Sequence, residues 1–210
     1  MKKTTLYNKH VNLDAKMVDF GGFNMPIQYS GISIEHNAVR KDVGIFDVSH
    51  MGEFIISGPD SFRFLQKITT NDLRKLQFGQ AQYSLMCNEN GGIIDDLIIY
   101  KKQNDYLLVV NASNREKNLK WLKKHQNSNV SIKDISDSIG LLAVQGPKSR
   151  KILNQLFDVD INKLSFYHFQ YGSMKGFNVM ISRTGYTGEL GYEIFVKSKN
   201  LIELWKNILL

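Results

Sequence analysis

Three apolar segments follow one another within residues 80–112, and they constrain the fold more than any other feature of the sequence. They are residues 82–87, 93–101 and 106–110. A Gly-Gly turn at 88–92 separates the first two, and a polar turn at 103–105 separates the last two. Short turns of this kind join antiparallel strands, whereas parallel strands need a long crossover. The segment therefore predicts an antiparallel meander.

An apolar strand, a Gly-Pro-x-Ser turn and an amphipathic helix occur twice in the chain. The first turn begins at Gly58 and the second at Gly146, an offset of 88 residues. Proline is favoured at the first position of a helix, where no backbone N–H is needed, so we expect Pro59 and Pro147 to open their helices. Turn chemistry alone is a sufficient explanation of the match and is preferred over duplication. In either case the fold uses recurring strand-to-helix units.

Helices and strands alternate without a regular βαβ order. A capping-box pattern, S-x-x-E, at 113–116 begins a lysine-rich helix, and a strand at 192–196 precedes a helix at 200–210. These features predict an α+β fold with mainly antiparallel sheets flanked by helices. The chain ends on two uncapped leucines, and we expect it to be cut short at this end.

The charge of the chain is basic but dispersed. Lys and Arg total 27 against 20 Asp and Glu, and 21 of the 27 are lysines spread along the sequence. Nucleic-acid recognition favours arginine forks with interleaved aromatics, so an RNA-binding module is only a third alternative. The single Cys87 excludes an internal disulfide. With no signal peptide and no apolar run near about 18 residues, we expect a cytoplasmic protein without a membrane partner.

Two aspartates interrupt the apolar strand at 93–101, although aspartate is depleted in strands. Alternation places Asp95 on the face of Leu97, and Asp96 on the face of Ile94 and Ile98. The two carboxylates are therefore not predicted to form a paired acid/base site, and one is a candidate for a cationic ligand. The plainer alternative is that one accepts backbone N–H bonds at the Gly-Gly turn while the other faces water.

A glycine-rich segment at 183–194 contains Tyr186, Glu189 and Glu193. Its spacing is neither that of a P-loop nor G-x-G-x-x-G, and it is acidic, so it is not a phosphate-binding loop. A carboxylate accepts two parallel N–H donors, and a tyrosine ring covers an apolar face. The composition suits a neutral, planar ligand with several N–H groups. A flexible loop accounts for the glycines but not for the two glutamates.

Asp47, Ser49 and His50 have the residue types of a catalytic triad. Residues one or two apart in an extended chain cannot surround one point, so we expect His50 to be packed or hydrogen-bonded rather than a base. No metal is predicted, because the other histidines lack metal-ligand spacing. These are His10, His36, His125 and His168.

Four segments together resemble the aminomethyltransferase (T-protein) family of the glycine cleavage system. They are residues 21–29, 46–51, 91–97 and 185–193, and the resemblance runs in order from about Leu6 to Leu210. It implies a folate-binding fold whose C-terminal domain is absent from this chain. The implied activity moves a methylene group from the aminomethyl-dihydrolipoyl arm of H-protein to tetrahydrofolate and releases ammonia.

The resemblance also implies roles for individual residues. Asp96 matches the catalytic aspartate, Glu193 matches the glutamate that binds the pterin N–H groups, and Tyr186 matches the tyrosine of the same loop. The remaining matched positions line the folate pocket in the family, and they are Met51, Tyr83, Asn111 and Tyr167.

The family's domain arrangement predicts a discontinuous first domain at 1–51 plus 138–210, with an inserted α+β domain at 52–137. A folate-dependent demethylase and a non-catalytic folate-binding protein are alternatives on the same fold. The latter carries a Cys-bearing loop, and residues 185–189 contain no cysteine. The lysine-rich helix at 115–124 is a candidate docking surface for acidic H-protein, and a solvated helix is the plainer alternative.

Overall fold

The computed structural model describes residues 1–210 and contains six α-helices and twelve β-strands. The helices are α1 (Tyr7–Asn12), α2 (Ile32–Lys41), α3 (Ser61–Ile68), α4 (Arg115–His125), α5 (Ser149–Leu156) and α6 (Leu201–Leu209). The strands are β1 (Lys16–Phe20), β2 (Phe23–Gln28), β3 (Gly44–Asp47), β4 (Gly52–Ser57), β5 (Ala81–Cys87), β6 (Ile93–Lys101), β7 (Asp105–Val110), β8 (Ser131–Asp134), β9 (Ile139–Gln145), β10 (Phe169–Met174), β11 (Phe177–Ser182) and β12 (Gly191–Lys197).

The chain divides into two compact units. The first unit comprises Met1–His50 and Asp137–Leu210, and the second comprises Met51–Ser136. The first unit has a five-stranded antiparallel sheet in the order β10-β11-β12-β9-β3 and a separate β1-β2 hairpin. The second has a five-stranded antiparallel sheet in the order β5-β6-β7-β4-β8, which confirms the predicted meander. That the two units are separate domains stays a prediction.

Each five-stranded sheet buries one face against helices of its own unit. In the second unit, alternate residues such as Phe54, Leu97 and Leu108 pack with Leu65 of α3 and Leu122 of α4. The first unit repeats this arrangement, with Leu153 of α5 and Leu204 of α6 packed against its sheet. By alternation, the opposite face of each sheet contains polar residues such as Asp96 and Glu193 beside buried apolar ones such as Ile98 and Phe195. The predicted α+β class is confirmed.

The repeated strand-to-helix unit extends well beyond its turn. In both units one strand is followed by an α-helix, a short 3-10 helix, a three-stranded meander, a second 3-10 helix and a final α-helix. The offset of 88 residues also holds for side chains: the N–H of Leu73 donates to Gln66 at 2.8 Å, and the N–H of Ile161 donates to Asn154 at 3.0 Å. Turn chemistry alone does not produce such matches, so the preference for it over a duplicated unit is wrong.

The two Gly-Pro turns place their prolines ahead of the helices. The N–H of Ser61 donates to the carbonyl of Gly58 at 3.1 Å, which closes a β-turn with proline at its second position. The second copy is equivalent, and its helix begins at Ser149. The expectation that each proline is the first helical residue is therefore wrong. Gly58 is required, because its φ is +106° and an added Cβ would lie 2.2 Å from the carbonyl oxygen of Asn129.

The predicted capping box before α4 is also wrong. Residues Ala112–Asn114 form a 3-10 turn, and the residue that precedes the first helical position is Asn114 rather than Ser113. The amide of Asn114 does not cap the helix; it donates to the carboxylate of Asp95 at 2.8 Å. The start of α4 is thus held by a tertiary contact to β6.

Candidate functional site

The four predicted site residues of the second unit share one face of its sheet. Beyond the paired ends of β4, β7 and β6, the next row contains Met51, Asn111 and Asp96. Tyr83 of β5 is a diagonal neighbour of Asp96 across the β5-β6 pair. Leu97, which follows Asp96, points to the hydrophobic core on the other face. The register therefore brings these four residues together on the face that the core does not use.

One side-chain amide holds the carboxylate of Asp96. The amide nitrogen of Asn111 donates to Asp96 Oδ1 at 2.7 Å. Tyr83 lies nearby, and desolvation together with the charges of Asp96 and Asp95 raises the pKa of its hydroxyl, which is therefore neutral. Asp96 is half-buried. It is a carboxylate of fixed orientation that a ligand can reach.

Asp95 lies on the opposite face and is 6% exposed. Its carboxylate accepts hydrogen bonds from the side-chain amides of Asn111 at 3.0 Å, Asn114 at 2.8 Å and Asn118. The alternative in which one aspartate accepts backbone N–H bonds at the Gly-Gly turn is therefore wrong for Asp95. The separation of the two carboxylates onto opposite faces is confirmed, but a single amide, that of Asn111, links them.

The predicted grouping of Ile94 with Asp96 is wrong. Met86 pairs with Asp95 and Cys87 pairs with Ile93, so the pairing passes over Ile94 at a β-bulge. A bulge shifts the alternation of side chains by one residue, and Ile94 accordingly packs against the hydrophobic core of the second unit. Asp96 therefore lacks the apolar neighbour on its N-terminal side that strict alternation gives it.

Glu193 of the first unit also lies on the face that its hydrophobic core does not use. It pairs with Ser182 of β11, whereas the next residue of β12, Ile194, belongs to the core. The carboxylate is 8% exposed and accepts a hydrogen bond from the hydroxyl of Thr184. Tyr167 adjoins this end of β11, because its N–H donates to the carbonyl of Arg183 at 3.0 Å. Within the first unit, the structure therefore places Tyr167 and Glu193 at neighbouring strand ends.

The loop at 183–190 is held by the chain itself. The amide of Gln145 bonds the carbonyl of Thr184 at 3.2 Å and the hydroxyl of Thr187 at 2.9 Å. Arg40 forms an ion pair with Glu189 at 3.0 Å. Glu189 thus has a structural role, and only Glu193 of the two glutamates is a candidate ligand-binding carboxylate. The ring of Tyr186 is 73% exposed at the tip of this loop.

Two of the residues that bind Asp47 lie far from it in the sequence, and spacing alone did not predict them. Its carboxylate accepts hydrogen bonds from Thr4 at 2.6 Å and from the N–H of Ser49 at 3.0 Å, and it contacts His10 Nε2 at 3.0 Å. His10 is fully buried, and its other ring nitrogen lies 2.7 Å from the Tyr29 hydroxyl. A network of this kind in the interior of the first unit fixes the position of α1.

His50 is not part of that network. It is 7% exposed, its ring packs edge-on against Phe20 at 5.4 Å, and its Nδ1 has no hydrogen-bond partner. Burial lowers the pKa of His50, although the charge of Asp47 acts in the opposite direction. His50 is therefore a packed histidine, which agrees with the sequence interpretation that it is not a base.

The buried network predicts a specific pH dependence of stability. Burial raises the pKa of Asp47, but the hydrogen bonds from His10, Ser49 and Thr4 outweigh it and hold the pKa below the ordinary value of about 3.9. Such a group stabilises the fold above the unfolded-state pKa, and the contribution is lost as the pH falls through the folded-state value. We expect the Tm gap between the wild type and Asp47→Asn to shrink between about pH 5 and pH 3. Thermal unfolding measures it, and a constant gap would contradict the assignment.

No group of three or more His, Cys, Asp or Glu side chains is arranged to hold a metal ion. None of the helices combines the length and the apolar character that crossing a membrane requires.

The fold and these carboxylates can be compared with known proteins. Residues 6–210 match the model of the GCVT N-terminal domain family. The chain therefore belongs to that family, and the resemblance seen in the four sequence segments is confirmed.

Two curated relatives carry the name aminomethyltransferase. The protein from Halothermothrix orenii is 48% identical over 210 residues, which cover 100% of this chain and 59% of the relative. The protein from Chloroherpeton thalassium is 50% identical over 207 residues, which cover 98% of this chain and 57% of the relative. The chain thus spans less than three fifths of the length of these relatives.

Solved structures are also similar to this chain. The crystal structure of glycine cleavage system aminomethyltransferase T from Bartonella henselae superposes with a TM-score of 0.91 at 32% identity, and the match covers 99% of this chain and 57% of that chain. A heterotetrameric sarcosine oxidase from Corynebacterium sp. U-96 has a TM-score of 0.62 at 13% identity, which shows a shared fold alone.

Proposed function

We infer that this chain provides the folate-binding and catalytic residues of a tetrahydrofolate-dependent aminomethyltransferase of glycine cleavage. The reaction moves the methylene group from the aminomethyl-dihydrolipoyl arm of H-protein to tetrahydrofolate and releases ammonia. One observation supports it above the others: Asp96, at the position of the family's catalytic aspartate, is held by Asn111 on the sheet face that the core does not use. The relatives' names are consistent with this reaction.

Tetrahydrofolate, when bound, supplies the secondary amine that accepts the one-carbon group. The task of Asp96 is electrostatic: positive charge develops on the methylene carbon as ammonia leaves, and a carboxylate of fixed orientation stabilises it. Because Asn111 holds the side chain beforehand, little reorganisation is needed during the reaction. The neutral Tyr83 hydroxyl also adds no negative charge that would compete with the carboxylate.

The residues of the first unit suit the recognition of a pterin ring. The carboxylate of Glu193 is an acceptor for parallel N–H donors, and Thr184 restricts its rotation. The exposed ring of Tyr186 is able to cover a planar heterocycle. These donor and acceptor types fit a folate, and no step of the reaction requires a metal ion.

The deciding experiment measures ammonia release from aminomethylated H-protein by the full-length protein, with and without tetrahydrofolate. Tetrahydrofolate-dependent release supports the proposal. Release that is independent of tetrahydrofolate contradicts the proposal. A non-catalytic folate-binding protein would bind tetrahydrofolate without releasing ammonia. A folate-dependent demethylase would instead transfer a methyl group from a methylated substrate to tetrahydrofolate and yield methyl-folate, and assays with methylated substrates separate the two.

H-protein is the proposed partner, and the lysine face of α4 is the proposed docking surface. Lys120 and Lys123 are exposed on this helix. Long-range attraction to an acidic carrier acts mainly on the encounter rate, so we expect the double charge reversal Lys120→Glu and Lys123→Glu to raise the KM for H-protein about 3- to 10-fold. Reversal of the exposed Lys151 and Lys163 is a control with the same change in net charge. Equal effects of the two pairs would favour a solvated helix.

A cytoplasmic location is part of the same proposal. The single Cys87, which forms no disulfide, suits a reducing compartment. Fractionation of the source cells with an antibody against the protein tests the location directly.

A further inference from the structure

Asp95 is a buried carboxylate whose charge is compensated by amides alone. It is 6% exposed, and no lysine, arginine or histidine forms an ion pair with it. A buried charge is costly unless its hydrogen-bonding capacity is filled. Here Asn114 and Asn118 of the α4 region and Asn111 at the end of β7 fill it. An apolar residue at position 95 would avoid this cost, so packing alone does not explain why a carboxylate is present here.

The amide of Asn111 connects Asp95 to Asp96. A side-chain amide nitrogen carries two hydrogens. One is donated to Asp95 Oδ1 at 3.0 Å, and the other is donated to Asp96 Oδ1 at 2.7 Å. Both neighbours are acceptors, so the amide cannot turn over without placing its oxygen against a carboxylate. Within the chain, Asn111 Oδ1 accepts no hydrogen bond.

We propose that Asp95 is a positioning residue for the reaction assigned to Asp96, and that it acts by locking the amide of Asn111. Asn118 and Asn114 hold Asp95, Asp95 orients Asn111, and Asn111 holds the carboxylate of Asp96. The proposal rests on the proposed function, because it takes Asp96 to be the catalytic residue. It also gives the consecutive aspartates separate tasks: the buried one fixes the geometry, and the half-buried one acts on the substrate.

The proposal explains why two of the three donors to Asp95, Asn114 and Asn118, come from the α4 region. Asn118 is fully buried on α4, the helix that also contributes Leu122 to the hydrophobic core. Asp95 is therefore bonded to a helix that the core holds in place. Asn111, by contrast, lies just after the end of β7, where the sheet no longer restrains it. Without Asp95, the only other acceptor for that N–H of Asn111 is the backbone carbonyl of Asp96 at 3.5 Å, and the amide loses its short bond on that side.

A double-mutant cycle in the full-length protein tests the proposal. The variants are Asp95→Ala, Asn111→Ala and the double variant, and the measurements are kcat and the KM for tetrahydrofolate. We expect Asp95→Ala to lower kcat about 10-fold with a KM within about 3-fold of the wild type. Because Asp95 acts through Asn111, the double variant should have the same kcat as Asn111→Ala alone. Effects that multiply in the double variant would overturn the proposal.

Leu122→Ala is the matched control for a loosened helix. Leu122 is fully buried on α4 and bonds none of these polar groups, so its truncation destabilises the unit without touching the lock. At temperatures where both variants remain folded, we expect Leu122→Ala to keep its kcat. If kcat falls in proportion to Tm in both Leu122→Ala and Asp95→Ala, then Asp95 has only a structural role and the proposal is overturned.

Asp95→Asn provides a second test if Asp95→Ala does not fold. Its oxygen still accepts from Asn111 and Asn114, and its new N–H₂ group can donate to Asn118 Oδ1, which has no partner in the wild type. We expect kcat within about 5-fold of the wild type and an intact Asn111–Asp96 hydrogen bond in a crystal structure. A large loss of kcat with that bond intact would assign the effect to the charge of Asp95 and overturn the proposal. If the wild type shows no tetrahydrofolate-dependent release, the proposed function itself fails.

Discussion

Asp96→Asn is expected to lower the turnover number at least about 100-fold while the Kd for tetrahydrofolate stays within a few-fold. The substitution removes the negative charge and little else. The amide oxygen of the new side chain still accepts from Asn111. A neutral amide cannot stabilise the positive charge that develops on the methylene carbon, so the loss falls on kcat.

Single-turnover ammonia release and an equilibrium titration with tetrahydrofolate measure the two quantities separately. Asp72→Asn is the control, since Asp72 is a carboxylate of the same unit that bonds its neighbour Arg74 outside the sheet. Near-normal turnover of Asp96→Asn would remove Asp96 from the catalytic role. A parallel loss in Asp72→Asn would point to a general change of charge instead.

The sheet faces were predictable because they depend on local periodicity. The meander at 80–112 follows from short polar turns between apolar strands, and alternation then places Asp95 and Asp96 on opposite faces. The prediction that Ile94 shares a face with Asp96 fails because of a local irregularity in the strand. The β-bulge at Ile94 adds one residue to β6, and no residue in the sequence marks that position as Gly or Pro would.

The partners of the buried acids were not predictable, because they lie far away in sequence. Asp47 is bound by His10 and Thr4, which are 37 and 43 residues distant. The spacing of His10 from other metal-ligating residues carries no information about a single carboxylate partner. Asn114 and Asn118 did offer a signal, since a spacing of four places both on one face of a helix. Two amides on one face, next to a strand with an unexplained aspartate, indicate a hydrogen-bonded carboxylate.

The repeat of the Gly-Pro turns was visible in the sequence, but the length of the repeated unit around them was not. Four residues are too few to separate duplication from common turn chemistry. The equivalent hydrogen bonds of Gln66 and Asn154 lie outside the turn and use different residue types, so a comparison of letters does not detect them. Geometry is shared here although identity is not, because either amide oxygen is able to accept the same backbone N–H.

Glu193→Gln is expected to weaken tetrahydrofolate binding about 10- to 100-fold and to leave kcat at saturating tetrahydrofolate within about 3-fold. The glutamine retains one oxygen, which the Thr184 hydroxyl can use, but its N–H₂ group opposes an N–H donor of the pterin where the carboxylate accepted it. Burial strengthens this effect, since the side chain is 8% exposed and water does not replace the lost acceptor.

Glu189→Gln is the matched control for Glu193→Gln, because it makes the same chemical change in the same segment at a carboxylate that pairs with Arg40. Isothermal titration with tetrahydrofolate should give a nearly unchanged Kd for Glu189→Gln and a raised Kd for Glu193→Gln. Equal shifts would mean that the loop as a whole has been disturbed. A fall in kcat rather than a rise in Kd would give Glu193 the role argued for Asp96, since the two carboxylates are distinguished by which kinetic quantity each one controls.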